Sequence, residues 1–442
     1  MNKNQLKQLV KAHNQLGLWL SPILFVIFFS GSISLFKSEL NTWQWRGDAQ
    51  DSQSQLSAAQ MIEAIDQQLP LAQGSRVTLL YPDDHKGYYQ VDVRDPDGKD
   101  ERSFFIDPVT AKVLGGDPNQ SQNQSFGNFI YDLHTVLRLP GGRYITGVIA
   151  LYLLFILLSG LVIHWEKLSE HLFKFRPDSA SRWLDLHKLI GVTSLPFSLL
   201  MAFTGVIFNL LLIYQIAFVV VVYKGDQSQL LSDAGFFAHQ IKADGEVYKV
   251  DKKAISELQR KVESQAVQSR VVSMRIEHYG DKQALVNFTL KGQGFDPREE
   301  VVYRLYDKKQ LFKNTNNTFK SGLSVLKQLH VGDYGGDLLK WLYFFLAQGC
   351  CVLLLTGNIL WLKKQAVKPS YGAKTLALHK ATIYALIPGF MLATLVGFIF
   401  VKLPLAATVV GHWQGTMFLS VMMLVPVVAF ALGWRDKGTA KS

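Results

Sequence analysis

Apolar and polar positions along this chain sort into two kinds of segment with different periods. Six runs carry no Asp, Glu, Lys or Arg, at 16–36, 144–163, 189–222, 341–362, 381–401 and 403–434. Crossing about 30 Å of hydrocarbon takes roughly 20 helical residues, so each run is long enough to span a bilayer. With their flanks they predict spans at 14–36, at the end of 126–165, at 187–222, at the end of 326–362, at 379–402 and at 411–434. The segments between them follow another pattern. In 37–125, helical apolar spacing over 57–69 gives way to strand-like alternation at 76–81, 88–93 and 103–106, closing on Asp107-Pro108-Val109-Thr110. The segment 223–325 repeats that order, with a helix at 253–264 and strands at 270–277, 284–290 and 299–306 before Asp307-Lys308-Lys309-Gln310. The expected fold class is a membrane α-helical bundle of about six transmembrane helices carrying two small α+β domains.

Charge then sets the orientation. Lysine and arginine collect before the first span, in the loops 166–186 and 363–378, and after residue 434, which the positive-inside rule assigns to the cytoplasm. Both termini fall on that side and both α+β domains on the other. The first apolar run exceeds a signal peptide's and lacks a small-residue exit before Lys37, so it reads as a retained span. A net charge of +11 raises the question of nucleic acid, but the basic residues sit beside the spans, where the lipid bilayer is their partner and no nucleic acid is expected. A soluble enzyme is excluded by the spans. A disulfide-stapled module is excluded because the two cysteines, Cys350 and Cys351, are adjacent within an apolar run. The polar domains contain no Cys/His ligand set, phosphate-binding glycine loop or nucleophile elbow.

Internal repeats supply the candidate chemistry. His13, Pro22 and Gly31 recur as His187, Pro196 and Gly205 and again as His379, Pro388 and Gly397, with proline nine and glycine eighteen residues after each histidine. The intervening spans carry a second pattern. Leu133-His134, Gly141-Gly142, Ser159-Gly160 and Trp165 match Leu329-His330, Gly335-Gly336, Thr356-Gly357 and Trp361. Alternating span direction puts His134 and His330 in an outer layer, and His13, His187 and His379 in an inner one. A single histidine at a membrane boundary is more often a snorkelling or hydrogen-bonded residue. Five in register, with repeated small residues that admit a neighbouring backbone or a flat macrocycle, point to axial ligands of b-type haem. No C-x-x-C-H occurs, so attachment is expected to be non-covalent. Arg138 and Arg143, beside His134, are candidates for haem propionates or an anionic substrate, with interfacial anchoring as the alternative. His164 and His171 read as solvated loop residues. A rival reading is a non-enzymatic membrane module that binds or restrains an envelope partner such as a protease.

These residues resemble the PepSY-associated transmembrane family, to which bacterial iron-regulated membrane proteins and ferric-siderophore reductases belong. The resemblance rests on His13-x-x-x-Gly17, on Phe105 through Asp107-Pro108 to Gly115, on Leu133-His134 through Gly142 to Gly160 and Trp165, and on Leu186-His187 through Gly191 to Thr204-Gly205. It implies a multi-pass protein of the bacterial inner membrane with PepSY-like periplasmic domains. It also implies an oxidoreductase that moves electrons outward through haem b to ferric iron held by a siderophore. Two bis-histidine haems are then expected, one between His134 and His330 and one between His13 and His187, with His379 as substitute. A quinol or a cytoplasmic reductase is the expected donor. Placed at the extreme helix ends, about 26 helical residues apart, the two layers would be on the order of 40 Å from each other, long for direct transfer, so the haems are expected to sit deeper or a relay to intervene.

Overall fold

The computed structural model describes residues 2–366, apart from 46–55, 84, 116–124, 169–174, 178, 180, 238–240, 267, 293–294, 296–297 and 314–316. Two repeats follow one another. The first runs α1 (Lys3–Ser34), α2 (Lys37–Trp45), α3 (Ala58–Gln68), β1 (Arg76–Leu80), β2 (Tyr89–Arg94), β3 (Glu101–Ile106), β4 (Val113–Gly115), α4 (Phe126–Val136) and α5 (Gly142–His164). The second runs α6 (Arg182–Thr193), α7 (Leu195–Val221), α8 (Gln227–Asp233), α9 (Lys252–Gln265), β5 (Arg270–Glu277), β6 (Leu285–Lys291), β7 (Glu299–Arg304), β8 (Gln310–Lys313), α10 (Thr318–Val331) and α11 (Gly336–Ala366).

The helices α1, α5, α7 and α11 are long and apolar enough to cross a membrane, which makes this a multi-pass membrane protein. Their outward faces leave Leu151, Phe155, Ile213, Ile216 and Phe345 exposed, more contiguous apolar surface than water tolerates. The spans read at 379–402 and 411–434, and His379 with them, lie outside the described residues. The span read as 187–222 is two helices: α6 carries His187, and the break falls at Ser194, just before Pro196 in the first turn of α7.

The expected pair of separate α+β domains is corrected to a single lobe. All eight strands form one antiparallel sheet in the order β4-β3-β2-β1-β5-β6-β7-β8. The physical reason is the edge: β1 and β5 each begin a half-sheet and would leave a row of backbone donors and acceptors unpaired. Instead they pair with each other, Val77 opposite Ile276 and Leu79 opposite Met274. These four side chains are buried in one core with Ile62 and Ile65 of α3 and Ile255 and Leu258 of α9. Across the seam, Arg76 Nε donates to Glu277 Oε2 at 2.7 Å.

Two short helices decide where the histidines go. The helix α4 ends on Leu137 and Arg138, both with φ of 50°, and the chain reverses into α5. A Cβ on Gly142 would lie 1.7 Å from the Val136 carbonyl oxygen, so only glycine closes this turn. The helix α10 ends the same way, on Gly332 with φ of 74°. His134 and His330 therefore precede the spans α5 and α11 in the chain without being part of them. They sit on separate helices folded back against the bundle, and His134 reaches the carbonyl of Ile27, seven residues or about 10 Å inside the lobe end of α1.

Candidate functional site

Three histidines are held by one device and a fourth by a variant of it. In an α-helix the side chain at position i+4 lies over the carbonyl of residue i, so a glycine there leaves that oxygen bare. His13 Nδ1 donates to Ile156 O at 3.1 Å, four residues before Gly160, and contacts Ser159 Oγ at 2.9 Å. His187 Nδ1 donates to Leu353 O at 3.1 Å, four before Gly357, and contacts Thr356 Oγ1 at 3.0 Å. His134 Nδ1 donates to Ile27 O at 2.8 Å, four before Gly31. His330 Nδ1 meets Thr204 Oγ1, beside Gly205, at 2.6 Å. That hydroxyl donates its own proton to Leu200 O at 2.6 Å, so it accepts from the imidazole. The rings lie on the glycines: a Cβ would stand 2.8 Å from His134 at Gly31, 3.2 Å from His13 at Gly160 and 3.2 Å from His187 at Gly357. Each cradle is built within one repeat, α1 with α4 and α5, and α7 and α6 with α10 and α11. With Nδ1 protonated and engaged, Nε2 carries the lone pair.

These rings face two cavities stacked along the bundle. The lobe-side cavity, about 500 Å³, is lined by His134, His330, Gly31 and Gly205. The far cavity, about 540 Å³, is lined by His13, His187, Gly160 and Gly357. Each thus receives one histidine from each repeat. The His134 and His330 ring centroids are 6.2 Å apart with planes 35° from parallel. Imidazoles at this separation could hold one metal between them, since two metal–nitrogen bonds of about 2 Å each with the ring radii added would span about 6 Å. Among the described residues no three His, Cys, Asp or Glu side chains gather to hold a bare metal ion. A pair of imidazoles suits an iron whose remaining ligands come from a macrocycle, and an outer hydrogen bond on Nδ1 is what orients such ligands. The donor pairs and apolar walls of both cavities, and the ring spacing of the lobe-side pair, therefore fit haem.

The layers are also closer than helix-end placement would put them, because α4 and α10 fold inward. Leu24 and Leu153 line both cavities. On α5, Ala150 borders the lobe-side cavity and Gly160 the far one, a separation of about 15 Å at 1.5 Å per residue. One layer of leucine side chains separates the two cavities.

A family model described as the PepSY-associated TM region matches residues 10–364. The chain belongs to this family. An uncharacterized protein of Pseudomonas aeruginosa is similar to it, 24% identical over 310 residues that make up 66% of this chain and 76% of that protein. All four cradled histidines of this PepSY-associated TM protein fall inside the matched region, and residue 379 falls beyond it.

The two candidate arginines part company. Arg143, near the start of α5, lines the lobe-side cavity. Arg138 instead pairs with Asp132 at 3.6 Å and stacks over the Phe129 ring at 4.8 Å, and it is not among the cavity's lining residues. His164, read from sequence as a solvated loop residue, lines the far cavity with Lys188 and Lys364. Lys37 and Lys327, which the sequence pattern did not single out, line the lobe-side cavity with Arg143. Their signal in the sequence was position alone: Lys37 is the first charge after the first span, and Lys327 stands one helical turn before His330.

Proposed function

We propose that this PepSY-associated TM protein is a b-type haem protein of the bacterial inner membrane that moves electrons across the bilayer to ferric iron in a siderophore. One observation carries the reading: of two stacked cavities, one is lined by His134 and His330 and the other by His13 and His187, each of these four held through Nδ1 so that Nε2 is free to act as a ligand. Haem b, when bound, supplies one-electron redox chemistry at both levels. The protein's own residues hold the tautomer, fix the ring planes and exclude water with Leu24, Leu153 and Phe28. The lysine-rich ends suit the cytoplasmic side and a quinol or reductase as donor. The sheet lobe then stands in the periplasm, where a ferric siderophore is the substrate and its Fe(III) is reduced to Fe(II).

The test is the visible spectrum and pyridine-haemochrome content of detergent-purified protein. A low-spin b-type spectrum with two haems per chain is expected. His134→Ala and His330→Ala should each lose the same single haem, and His13→Ala or His187→Ala the other. A colourless protein would overturn this reading in favour of a membrane module that binds an envelope partner. Right-side-out vesicles given a respiratory donor should reduce external ferric siderophore, trapped as Fe(II); reduction confined to inverted vesicles would reverse the proposed direction.

A further inference from the structure

The lobe-side cavity is chemically two-ended. Toward the bundle centre its walls are Leu24, Leu153, Phe197 and Ala202. At the lobe end, three cations from three separate elements reach it: Lys37 at the start of α2, Arg143 at the start of α5 and Lys327 on α10. No Asp or Glu is among the described residues that line it. The acids nearby are already engaged. Asp132 pairs with Arg138 at 3.6 Å, Asp333 with Lys291 at 3.0 Å, and Glu39 with Lys340. The Lys37 ammonium rests over the Tyr131 ring at 4.4 Å. Burial lowers its pKa from the ordinary lysine range against the opposing pull of Asp132 and Asp92. Three cations that line one cavity, none of them in an ion pair with a described carboxylate, form a site suited to an anion. The apolar floor below them requires that the anion be the acidic end of a largely apolar ligand.

We propose that Lys37, Arg143 and Lys327 form a carboxylate-binding site that holds the propionate groups of the lobe-side macrocycle. The proposal rests on the haem reading above and adds which end of the ligand faces the lobe. It also separates Arg143 from Arg138, which is committed to Asp132. Guanidinium and ammonium groups bind carboxylates through charge-assisted hydrogen bonds, and three such groups suffice for two carboxylates.

The experiment compares haem b with its dimethyl ester, which keeps the iron and the ring but carries no carboxylate charge. Full-length protein produced under haem depletion is titrated with each in detergent, using a His13→Ala, His187→Ala background so that only the lobe-side site is read. Haem is expected to bind at least tenfold more tightly than the ester, as one charge-assisted pair already supplies. Lys37→Met, Arg143→Met and Lys327→Met should each reduce that preference while leaving ester affinity unchanged, which shows that the cavity still folds. Each should also lower the midpoint potential of the bound haem, since removing a nearby cation disfavours the added electron. Equal affinity of haem and ester for the background protein would overturn the proposal, as would a preference that survives all three substitutions. Failure to bind either compound would instead overturn the haem reading itself.

Discussion

Substituting Gly31 by alanine tests whether a bare helix carbonyl positions His134. The new Cβ would lie 2.8 Å from both Nδ1 and Cε1 of the ring. Non-bonded contacts to carbon relax at about 3.5–4 Å, so the imidazole must retreat by about 1 Å. Its hydrogen bond to Ile27 O is 2.8 Å long, and that retreat carries it past the roughly 3.5 Å at which such a bond ends. The bond itself is worth about 1 kcal/mol. Losing an outer-shell partner of a metal-binding histidine costs roughly 10–100-fold in affinity. Alanine in a helix interior otherwise stabilises by up to about 1 kcal/mol over glycine, so haem loss from a protein that melts no lower isolates the steric effect. At Gly160 and Gly357 the Cβ would stand 3.2 Å from His13 and His187, which a shift of about half an ångström relieves. At Gly205 it meets Ala150 Cβ at 3.2 Å rather than a histidine. The expected order of haem loss is Gly31→Ala first, Gly160→Ala and Gly357→Ala next, and Gly205→Ala last, read as pyridine-haemochrome stoichiometry and low-spin fraction. Wild-type stoichiometry and spectrum in Gly31→Ala, with a haem missing from Gly205→Ala, would refute the reasoning.

Thr204→Val removes the hydroxyl that accepts from His330 Nδ1 at 2.6 Å; affinity at the lobe-side site should fall roughly 10–100-fold and Thr204→Ser should restore it, so an unchanged haem titration in the valine variant would contradict the cradle. His379→Ala should leave haem content and both midpoint potentials unaltered, because four cradles already hold four histidines and the third repeat reads Val396-Gly397 where the others have Ser30-Gly31 and Thr204-Gly205; loss of a haem would show that the rule does not extend to it. Ile276→Ala, at a fully buried position opposite Val77, should destabilise the lobe by about 2–4 kcal/mol. Hydrogen exchange should then rise in β2–β3 and β6–β7 together, and protection surviving in one half would mean the halves fold independently.

Segments whose period reports burial were legible in the sequence, and relations between segments were not. The apolar runs behind α1, α5, α7 and α11 declare themselves because every face of a span is apolar. The order of helix and strands in each half of the lobe followed from alternation such as that of Arg76–Leu80. The pairing of β1 with β5 left no such mark: Val77 and Ile276 would face inward in two separate sheets as in one. The histidine spacings were visible as repeats, but how deep His134 sits was not, because the reversal at Leu137, Arg138 and Gly142 is a matter of φ angles that the spacing does not contain. The cradles were hidden differently. Ser159-Gly160 and Thr356-Gly357 stood out as recurring pairs, but Thr146-Gly147 reads identically and packs its glycine against Leu210. A small hydroxyl residue beside glycine signals a close approach without saying what approaches.

The duplication explains why both cavities take the same form. Each repeat holds its own two histidines: α1 and α5 grip His13, and α1 grips His134 on α4, while the second repeat does the same for His187 and His330. Neither cavity is complete within a repeat, since each needs an imidazole from both. The joining of β1 to β5 therefore bears on the bundle as well as on the lobe. It fixes one repeat against the other in the lobe, and the bundle adds cross-repeat bonds of its own, Ser21 Oγ to Asn358 Oδ1 at 3.1 Å and Gln348 Nε2 to Ser32 Oγ at 2.7 Å. A shift between the repeats would leave every cradle intact and still change the 6.2 Å separation of His134 and His330, because the cradle hydrogen bonds lie within repeats and the ligand spacing lies between them. The eight-stranded sheet, which carries none of the candidate ligands, thus joins the bundle's own cross-repeat contacts in holding two self-contained histidine holders against each other.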